Sequence, residues 1–208
     1  MIQGSDEWKA ARLGRVTASR VADVIAKTKT GWGASRRNYL AELVAERLTG
    51  VTAEGYSNAA MQWGADTEPQ ARAAYEFFND VAVEQVGFID HPKIKMAGAS
   101  PDGLIGADGL VEFKCPLTAT HIDTLLTGET PGKYITQMQF QMACTGRAYC
   151  DFVSFDPRMP EHLRLFSRRV MRDNAYIADL EKMVREFLSE LDETIAALGG
   201  EKRPALML

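Results

Sequence analysis

Three residues in the middle of the sequence have the types and spacing for metal-assisted hydrolysis. Asp102 lies in Ser100-Pro-Asp-Gly, and Glu112 and Lys114 follow in Glu-Phe-Lys. In a β-strand, residues two apart point to the same face, so Glu112 and Lys114 project together while Phe113 points to the other side. A short hairpin would bring Asp102, from the preceding turn and strand, beside Glu112.

Two carboxylates that converge at the end of a sheet form a hard-oxygen site suited to Mg²⁺ or Mn²⁺. The backbone carbonyl of Phe113 would add a further ligand. The ammonium group of Lys114, next to such a metal, would hold and help deprotonate an attacking water molecule. It would also stabilise charge that develops on a phosphate.

A simpler interpretation is that Glu112 and Lys114 form a solvent-facing ion pair on an edge strand. Glu-x-Lys by itself is very common and discriminates poorly. The surrounding residues favour the metal site, because an apolar Leu110-Val111 pair leads into the motif. A buried strand is a costly place for an acid and a lysine unless something pairs them.

Further polar residues fit the same site. Glu68 lies among apolar neighbours in a predicted helix. Gln137 and Gln141 are four residues apart and share a helical face, whereas Gln139 points elsewhere. A glutamine at the edge of the core can bind water or phosphate, and the alternative for each is an ordinary solvated polar face.

Other catalytic classes find no support. The three histidines are scattered without metal-ligand spacing, which argues against a zinc site or a histidine-based nuclease motif. The three cysteines form neither a disulfide framework nor a spaced metal motif. No nucleophile elbow, P-loop or dinucleotide-binding glycine motif occurs.

The elements that must position these residues begin with helices. We predict a helix that starts at Ser5, and a second one capped by Thr17 or Ser19. Longer helices are predicted over 35–48 and 58–79, the latter kinked or broken at Pro69.

A strand-like pattern covers 81–89, with its partner beginning at 94–96, and shorter strands are predicted at 103–105 and 110–113. Helices follow at 118–126 and 133–145, then strands at 147–155 and 162–170. An amphipathic helix begins at Asp173 and ends at Gly199-Gly200. We therefore expect α/β or α+β architecture, with helices on both sides of a mixed central sheet in three layers.

Composition and length fit one globular domain over residues 1–208. The chain is 46% apolar and 25% charged, which is average globular usage. No stretch approaches the roughly 18 apolar residues of a membrane span, and the first residues lack the apolar core of a secretory signal. We expect a soluble, cytoplasmic protein with no membrane partner.

The formal charge of -4 argues against a nonspecific nucleic-acid binder, but the charge is unevenly distributed. Residues 1–50 hold nine Lys and Arg against five acids, and so carry +4 while the rest carries -8. Local potential steers an anion, so a basic segment on an acidic body still binds phosphates. The alternative is that these charges lie on solvated helix faces.

The central motif, Ser100-Pro-Asp-Gly with Leu-Val-Glu-Phe-Lys-Cys-Pro116, resembles the PD-(D/E)xK nuclease core of the lambda exonuclease family of viral recombinases. Four further motifs resemble those of the family and occur in the same order. They are Arg-Leu-Gly-Arg-Val-Thr-Ala-Ser at 12–19, Trp-Gly with Glu at 63–68, the glutamine motif at 134–139, and Asp-Pro-Arg-Met at 156–159. The similarity covers about residues 7–195.

This resemblance implies a restriction-endonuclease-like fold and a Mg²⁺-dependent exonuclease, with Mn²⁺ as a possible substitute. Such an enzyme digests one strand of linear double-stranded DNA in the 5′→3′ direction and releases mononucleotides. The 3′ overhang that remains serves recombination by strand annealing. Family members form a ring-shaped homotrimer around DNA and work with a single-strand annealing protein.

By resemblance, Asp102 and Glu112 would ligate the metal and Lys114 would assist the attacking water. Glu68 and Gln137 would complete the site around the water and metal.

The resemblance also implies a pocket for the terminal 5′-phosphate, formed by Arg12, Ser19 and Ser100. A guanidinium fork and two hydroxyls suit phosphate oxygens. The basic segment 1–50 would line the side where DNA enters. In the loop 28–37 no residue is singled out as the one that reaches into a groove. The apolar tail 203–208 is expected to pack on a neighbouring subunit or partner, or to be frayed.

Two other functions compete with this interpretation. An endonuclease of the same fold would cut duplex or branched DNA internally and would have no use for a terminal-phosphate pocket. A DNA-end-binding module that has lost catalysis would not need the intact set of Asp102, Glu112 and Lys114.

Overall fold

The computed structural model describes residues 1–52 and 59–199, apart from the side chain of Met61. Two predicted features lie outside the described residues. They are the tail at 203–208 and the first residue of the helix predicted over 58–79. The described helices are α1 (Asp6–Arg12), α2 (Val21–Val24), α3 (Ala34–Thr49), α4 (Ala59–Asn79), α5 (Thr118–Thr127), α6 (Gly132–Thr145) and α7 (Asn174–Ala197).

The described strands are short before the central motif and longer after it. They are β1 (Val16–Thr17), β2 (Lys27–Thr28), β3 (Gly31–Trp32), β4 (Val83–Glu84), β5 (Ile89–Asp90), β6 (Ala97–Ala99), β7 (Gly103–Ile105), β8 (Gly109–Lys114), β9 (Tyr149–Phe155) and β10 (Leu165–Met171).

The central sheet formed by the described strands has the order β10-β9-β8-β7-β4. Its β8 and β9 strands run parallel, and the other neighbours run antiparallel, so the sheet is mixed as predicted. A smaller sheet has the order β1-β6-β5, and β2 and β3 form a separate hairpin.

Helices cover both faces of the central sheet. Val111 and Phe113 of β8 point to the face where Tyr75 of α4 packs. Leu110 points to the opposite face and contacts the buried Met138 of α6. The three-layer arrangement expected from the alternation of helices and strands is therefore confirmed.

A further apolar cluster joins α2, α3 and α7 beside the small sheet. The amphipathic helix predicted here is confirmed as α7, because Leu180, Val184 and Phe187 are buried on one face. Phe187 stacks on Tyr39 with ring centroids 5.6 Å apart. The carboxylate of Asp173 caps α7 by accepting a hydrogen bond from the backbone of Tyr176.

The predicted strand at 81–89 is wrong as a single element. It is divided into β4, which pairs with β7 in the central sheet, and β5, which pairs with β6 in the small sheet. Between them, the side chain of Gln3 donates to the carbonyl of Val86, and so takes the place of a neighbouring strand. The partner of β5 begins at Ala97, one residue beyond the predicted 94–96.

Two details of the predicted helices also differ. Neither Thr17 nor Ser19 caps α2, because a 3₁₀ turn over Ala18–Arg20 precedes that helix. The helix α4 is not broken at Pro69. A proline removes one intrahelical hydrogen bond, and the burial of Ala71 and Tyr75 on the sheet holds the helix in register.

None of the described helices is long and apolar enough to cross a membrane.

Candidate active site

The β7–β8 hairpin brings Asp102 to the end of β8, as predicted. Pairing of the two strands ends at Gly103 and Val111, which leaves the last part of β8 without a β7 neighbour. Asp102 fills this position, where its Oδ2 accepts the backbone N–H of Phe113 over 2.7 Å. The N–H and C=O of one strand residue point to the same side. The carbonyl of Phe113 is therefore directed towards Asp102.

Glu112 lies on the opposite face of β8 from Phe113 and is 1% exposed. Its Oε1 accepts hydrogen bonds from Lys114 and from Nε2 of Gln137, the latter over 2.6 Å. Its Oε2 accepts from Nε2 of Gln141 over 2.6 Å. Gln139 points away, as expected, and donates to the carbonyl of Met171. A buried carboxylate thus obtains three donors, two of them from one face of α6.

Lys114 is held between carboxylates and an aromatic ring. Its Nζ contacts Glu112 and lies 5.0 Å from the ring centroid of Tyr134. Burial by itself would lower the pKa of Lys114, but Glu112 and Asp102 raise that pKa above its usual value. The side chain is therefore an ammonium ion.

Asp102, Lys114 and Glu68 line one cavity of about 540 Å³, together with Lys133 and Tyr134. Burial, and next the charge of Glu112, raise the pKa of Asp102 well above its ordinary value. Burial also raises the pKa of Glu68, against the opposing effect of Arg72. Acids concentrated in this way repel each other, and a cation would relieve that repulsion.

Glu68 reaches the cavity from α4, where its Oε1 accepts from Nη2 of Arg72 over 2.9 Å. The structure therefore brings Glu68 and Gln137 to the same site as the central motif, from helices on opposite faces of the sheet.

The donor set fits a magnesium ion. Within residues 1–52 and 59–199, no three side chains of His, Cys, Asp or Glu converge, so the protein oxygens on offer are two carboxylates and a main-chain carbonyl. Mg²⁺ commonly binds through one or two carboxylates and retains several waters. An ionised carboxylate has about four lone-pair positions, and Glu112 uses three, which leaves one for a metal.

A second cavity, of about 490 Å³, lies beside α1 and is lined by Trp8, Arg12 and Ser19 among others. The guanidinium carbon of Arg12 is 4.1 Å from the centroid of the Trp8 ring. Burial lowers the pKa of Arg12, with Tyr39 and Glu46 opposing the shift. The Oγ of Ser19 lies 3.3 Å from that of Thr17 at the cavity wall.

Ser100 is not among the described residues that line either cavity, but it contacts two residues that line the second one. Its Oγ accepts from Nε1 of Trp8 over 2.9 Å and from Nη1 of Arg12 over 3.3 Å. Because both contacts use its lone pairs, the hydroxyl proton of Ser100 is free to donate to an anion. Asp102 of the carboxylate pair follows two residues later.

Three residues that contact the candidate site residues were not assigned to the site from the sequence. Trp8 is four residues before Arg12, and that spacing on a predicted helix is the signal for their stacking. Gln141 shares a face with Gln137, which the spacing had indicated. Tyr134 lies in the glutamine motif, but nothing in the pattern predicts its contact with Lys114.

Known proteins resemble the chain over most of its length. The alkaline exonuclease LHK-Exo of Laribacter hongkongensis is 54% identical, with 94% of this chain and 96% of that one covered and a TM-score of 0.88. Its structure in complex with dAMP matches with 55% identity, 93% and 96% coverage and the same TM-score. A phage-related exonuclease from Haemophilus somnus 129PT is 17% identical over 88% and 96% of the chains, with a TM-score of 0.71, and shares the fold.

A curated relative matches a shorter part. The protein ExoD of Escherichia coli (strain K12) is 33% identical over 66 residues, which are 32% of this chain and 75% of that protein. The YqaJ-like viral recombinase domain family matches residues 7–148, which include Arg12, the whole of β8 and Gln137. Over two thirds of its length the chain has the pattern of that family, and it belongs to the YqaJ-like viral recombinase domain family.

Proposed function

We propose that the protein is a Mg²⁺-dependent exonuclease that degrades one strand of linear double-stranded DNA from a 5′-phosphorylated end. The reaction releases mononucleotides and leaves a 3′ single-stranded overhang. Mn²⁺ is the expected substitute for Mg²⁺.

The spacing of Ser100 and Asp102 carries this proposal. Ser100 accepts a hydrogen bond from Arg12, which lines the cavity beside α1. Asp102 contacts β8 and lines the cavity that also contains Glu68, the carboxylate cavity. Two residues of extended chain span at most about 7 Å, which is comparable with one nucleotide unit of a DNA strand. An enzyme that anchors a terminal phosphate at Arg12 therefore places the next phosphodiester at the carboxylates. Removal of one nucleotide at a time follows.

The relatives support the same class of reaction. LHK-Exo, with 54% identity, is described as an alkaline exonuclease, and its complex contains dAMP, a mononucleotide. Membership of the viral recombinase domain family adds a recombination setting in which a 3′ overhang has a use.

Asp102, Glu112 and the carbonyl of Phe113 would hold the divalent cation. When bound there, the cation would act as a Lewis acid on the scissile phosphate. These groups fit that role because they present hard oxygens on one end of β8.

The side chains around this position have separate tasks. Lys114 orients the attacking water and, as an ammonium ion, stabilises negative charge on the phosphate. Gln137 holds Glu112 through Oε1 and restricts the rotation of that carboxylate. Glu68 faces the same cavity, where its carboxylate would accept a hydrogen bond from the attacking water.

Arg12, Ser19 and Ser100 would bind the terminal phosphate. The guanidinium of Arg12 is fixed by Trp8, so little side-chain entropy is lost on binding. Arg12 supplies charge, and the hydroxyl of Ser100 donates a hydrogen bond.

The proposal extends to the assembly. From the family resemblance we propose a homotrimeric ring that encloses DNA, a single-strand annealing protein as partner, and action in the cytoplasm.

The test is nucleotide release from linear duplex DNA with Mg²⁺, on matched substrates with 5′-phosphate or 5′-hydroxyl ends. Strand-specific labels give the polarity, and covalently closed circles detect internal cutting. We expect release from phosphorylated ends and intact circles, with Asp102→Asn protein as the control for contaminating nuclease. Cutting of the circles would identify an endonuclease, and end binding without release would identify a binding module.

A further inference from the structure

The Asp-Pro-Arg-Met segment at 156–159, after β9, has no part in the chemistry described above. It nevertheless contacts α4 and the residues that directly follow β8. Asp156 is fully buried at the end of β9. Its carboxylate accepts from Nε and Nη2 of Arg158 over 2.7 and 2.9 Å, and from the hydroxyl of Thr118 over 2.7 Å. The guanidinium of Arg158 is thus fixed in orientation by a two-point contact.

The fixed guanidinium contacts two other segments. Its Nη2 donates to the carbonyl of Pro116 over 3.3 Å, two residues after Lys114. Its carbon lies 4.4 Å from the ring centroid of Trp63, within the range of a cation–π contact. Arg158 therefore spans the gap between the end of β8 and the N-terminal part of α4.

The two halves of α4 are attached differently. The C-terminal half is anchored on the sheet by Ala71 and by Tyr75, whose hydroxyl donates to Asp151 over 2.6 Å. Among the side chains that the structure describes between residues 59 and 66, none is buried, and Thr67, at 2% exposure, is the first buried one. The indole N–H of Trp63 has no hydrogen-bond partner within the described residues. Stacking on Arg158 is a contact of this half with a charged side chain from another segment.

The N-terminal half of α4 also forms a wall of the carboxylate cavity. Ala60 and Gly64 line that cavity on the same helical face as Glu68. Within the described residues, the lining includes neither Trp63 nor Arg158. Their contact therefore lies outside the lining of the cavity, between α4 and the segment that follows β8.

We propose that Arg158 is a positioning residue, which holds the N-terminal half of α4 through Trp63 at a fixed distance from the end of β8. It thereby positions Glu68 and the wall that faces the DNA strand. The inference rests on the proposed function for its kinetic test, and its structural test does not depend on activity.

The kinetic test compares single-turnover nucleotide release by Arg158→Ala, Arg158→Lys and the wild type. We expect both variants to lose about tenfold to a hundredfold in the maximal rate, since small misplacements of catalytic groups have effects of this size. The concentration for half-maximal rate should change less than twofold. Lysine keeps the charge but lacks the planar fork and the stacking face. Arg164→Ala is the matched control, because Arg164 lies in the same loop and, in the described structure, its side chain donates only to the carbonyl of Met159.

Variants of Trp63 complete the design. Trp63→Phe keeps an aromatic face and should retain most of the rate, whereas Trp63→Ala should match Arg158→Ala. Combining Trp63→Ala with Arg158→Ala should cost no more than either change alone, because both remove one contact.

Hydrogen exchange supplies the readout that needs no activity. In Arg158→Ala, the amides of residues 59–68 should exchange faster, and those of 69–79 should be unchanged. The proposal would be overturned if Arg158→Lys cleaved at the wild-type rate while Arg158→Ala lost affinity for DNA in a salt-dependent way. That result would make Arg158 a DNA contact. Unchanged exchange at 59–68 would overturn the proposal even if the protein proves to have no nuclease activity.

Discussion

Gln141 donates a hydrogen bond from Nε2 to Oε2 of Glu112 over 2.6 Å, at a place where neither side chain is exposed to solvent. Gln137, one helical turn earlier, donates to the other oxygen but is itself half-buried. The two glutamines therefore hold the same carboxylate under different conditions of solvation. Water can replace the contact of Gln137 but not that of Gln141.

This difference predicts a division between stability and activity. Gln141→Leu should lower the free energy of unfolding by about 1.5–3 kcal/mol, the value of a hydrogen bond to a buried charge. Gln137→Leu should lower the free energy of unfolding by less than half as much as Gln141→Leu does. It should reduce nucleotide release more strongly than Gln141→Leu. Urea denaturation and initial rates measure the two effects. Equal losses of stability in both variants would contradict the assignment.

Asp102→Asn should abolish cleavage without loss of stability. An asparagine oxygen can still accept the N–H of Phe113, while the negative charge beside Glu112 is removed. Thermal unfolding should therefore occur at the same or a higher temperature, and DNA binding should persist. Turnover above background with Mg²⁺ would show that Asp102 is not a metal ligand.

Lys114→Ala should reduce the rate by about two to three orders of magnitude, because one preorganised charge of this kind contributes about 3–4 kcal/mol to the transition state. Lys133→Ala is the matched control. Lys133 lies in the same cavity and also faces the Tyr134 ring, at 4.7 Å, but it has no described contact with Glu112. A similar loss in both variants would indicate a general effect of positive charge.

Arg12→Ala should remove the preference for 5′-phosphorylated ends, since the guanidinium is the fixed cation of the pocket. Arg37→Ala is a suitable control, because Arg37 belongs to the same basic segment but is exposed outside that cavity. The ratio of rates on phosphate and hydroxyl ends is the measurement. A ratio in Arg12→Ala equal to that of the wild type would refute the pocket.

The parts of the site that were predictable depend on short-range periodicity. A two-residue repeat places Glu112 and Lys114 on one face of β8, and a four-residue repeat places Gln137 and Gln141 on one face of α6. A hairpin of ordinary length then brings Asp102 to β8. Each inference uses chain geometry over about ten residues, and the structure agrees with each of them.

The parts that were missed depend on contacts between distant segments. Trp8 and Ser100 are 92 residues apart, and Arg158 contacts Trp63 over a similar separation in sequence. Where 81–89 divides between two sheets, the carbonyl of Val86 likewise accepts from the distant side chain of Gln3. No local pattern encodes these contacts, because tertiary packing decides which segments meet.

A pH-dependent loss of stability is expected from His91, which is buried between α6 and α7. Its Nδ1 accepts the backbone N–H groups of Lys93 and Ile94, both over 3.1 Å, so the neutral ring carries its proton on Nε2. Burial lowers the pKa of His91, the nearby charge of Glu181 opposes the shift, and those of Arg185 and Lys93 reinforce it. The folded state thus binds a proton less readily than the unfolded state.

The sign of the effect follows from that difference. The contribution of His91 to the free energy of unfolding is fully present above the pKa of about 6.5 that the residue has in the unfolded chain. It is lost as the pH falls below that value. In His91→Asn, the side-chain oxygen can accept the same N–H groups without titrating. The free energy of unfolding should therefore decline more between pH 7.5 and pH 5.5 in the wild type than in His91→Asn. When both proteins are denatured with urea in the same buffers, the contributions of the other titrating groups cancel in the difference. Parallel pH profiles of stability would exclude a role for His91.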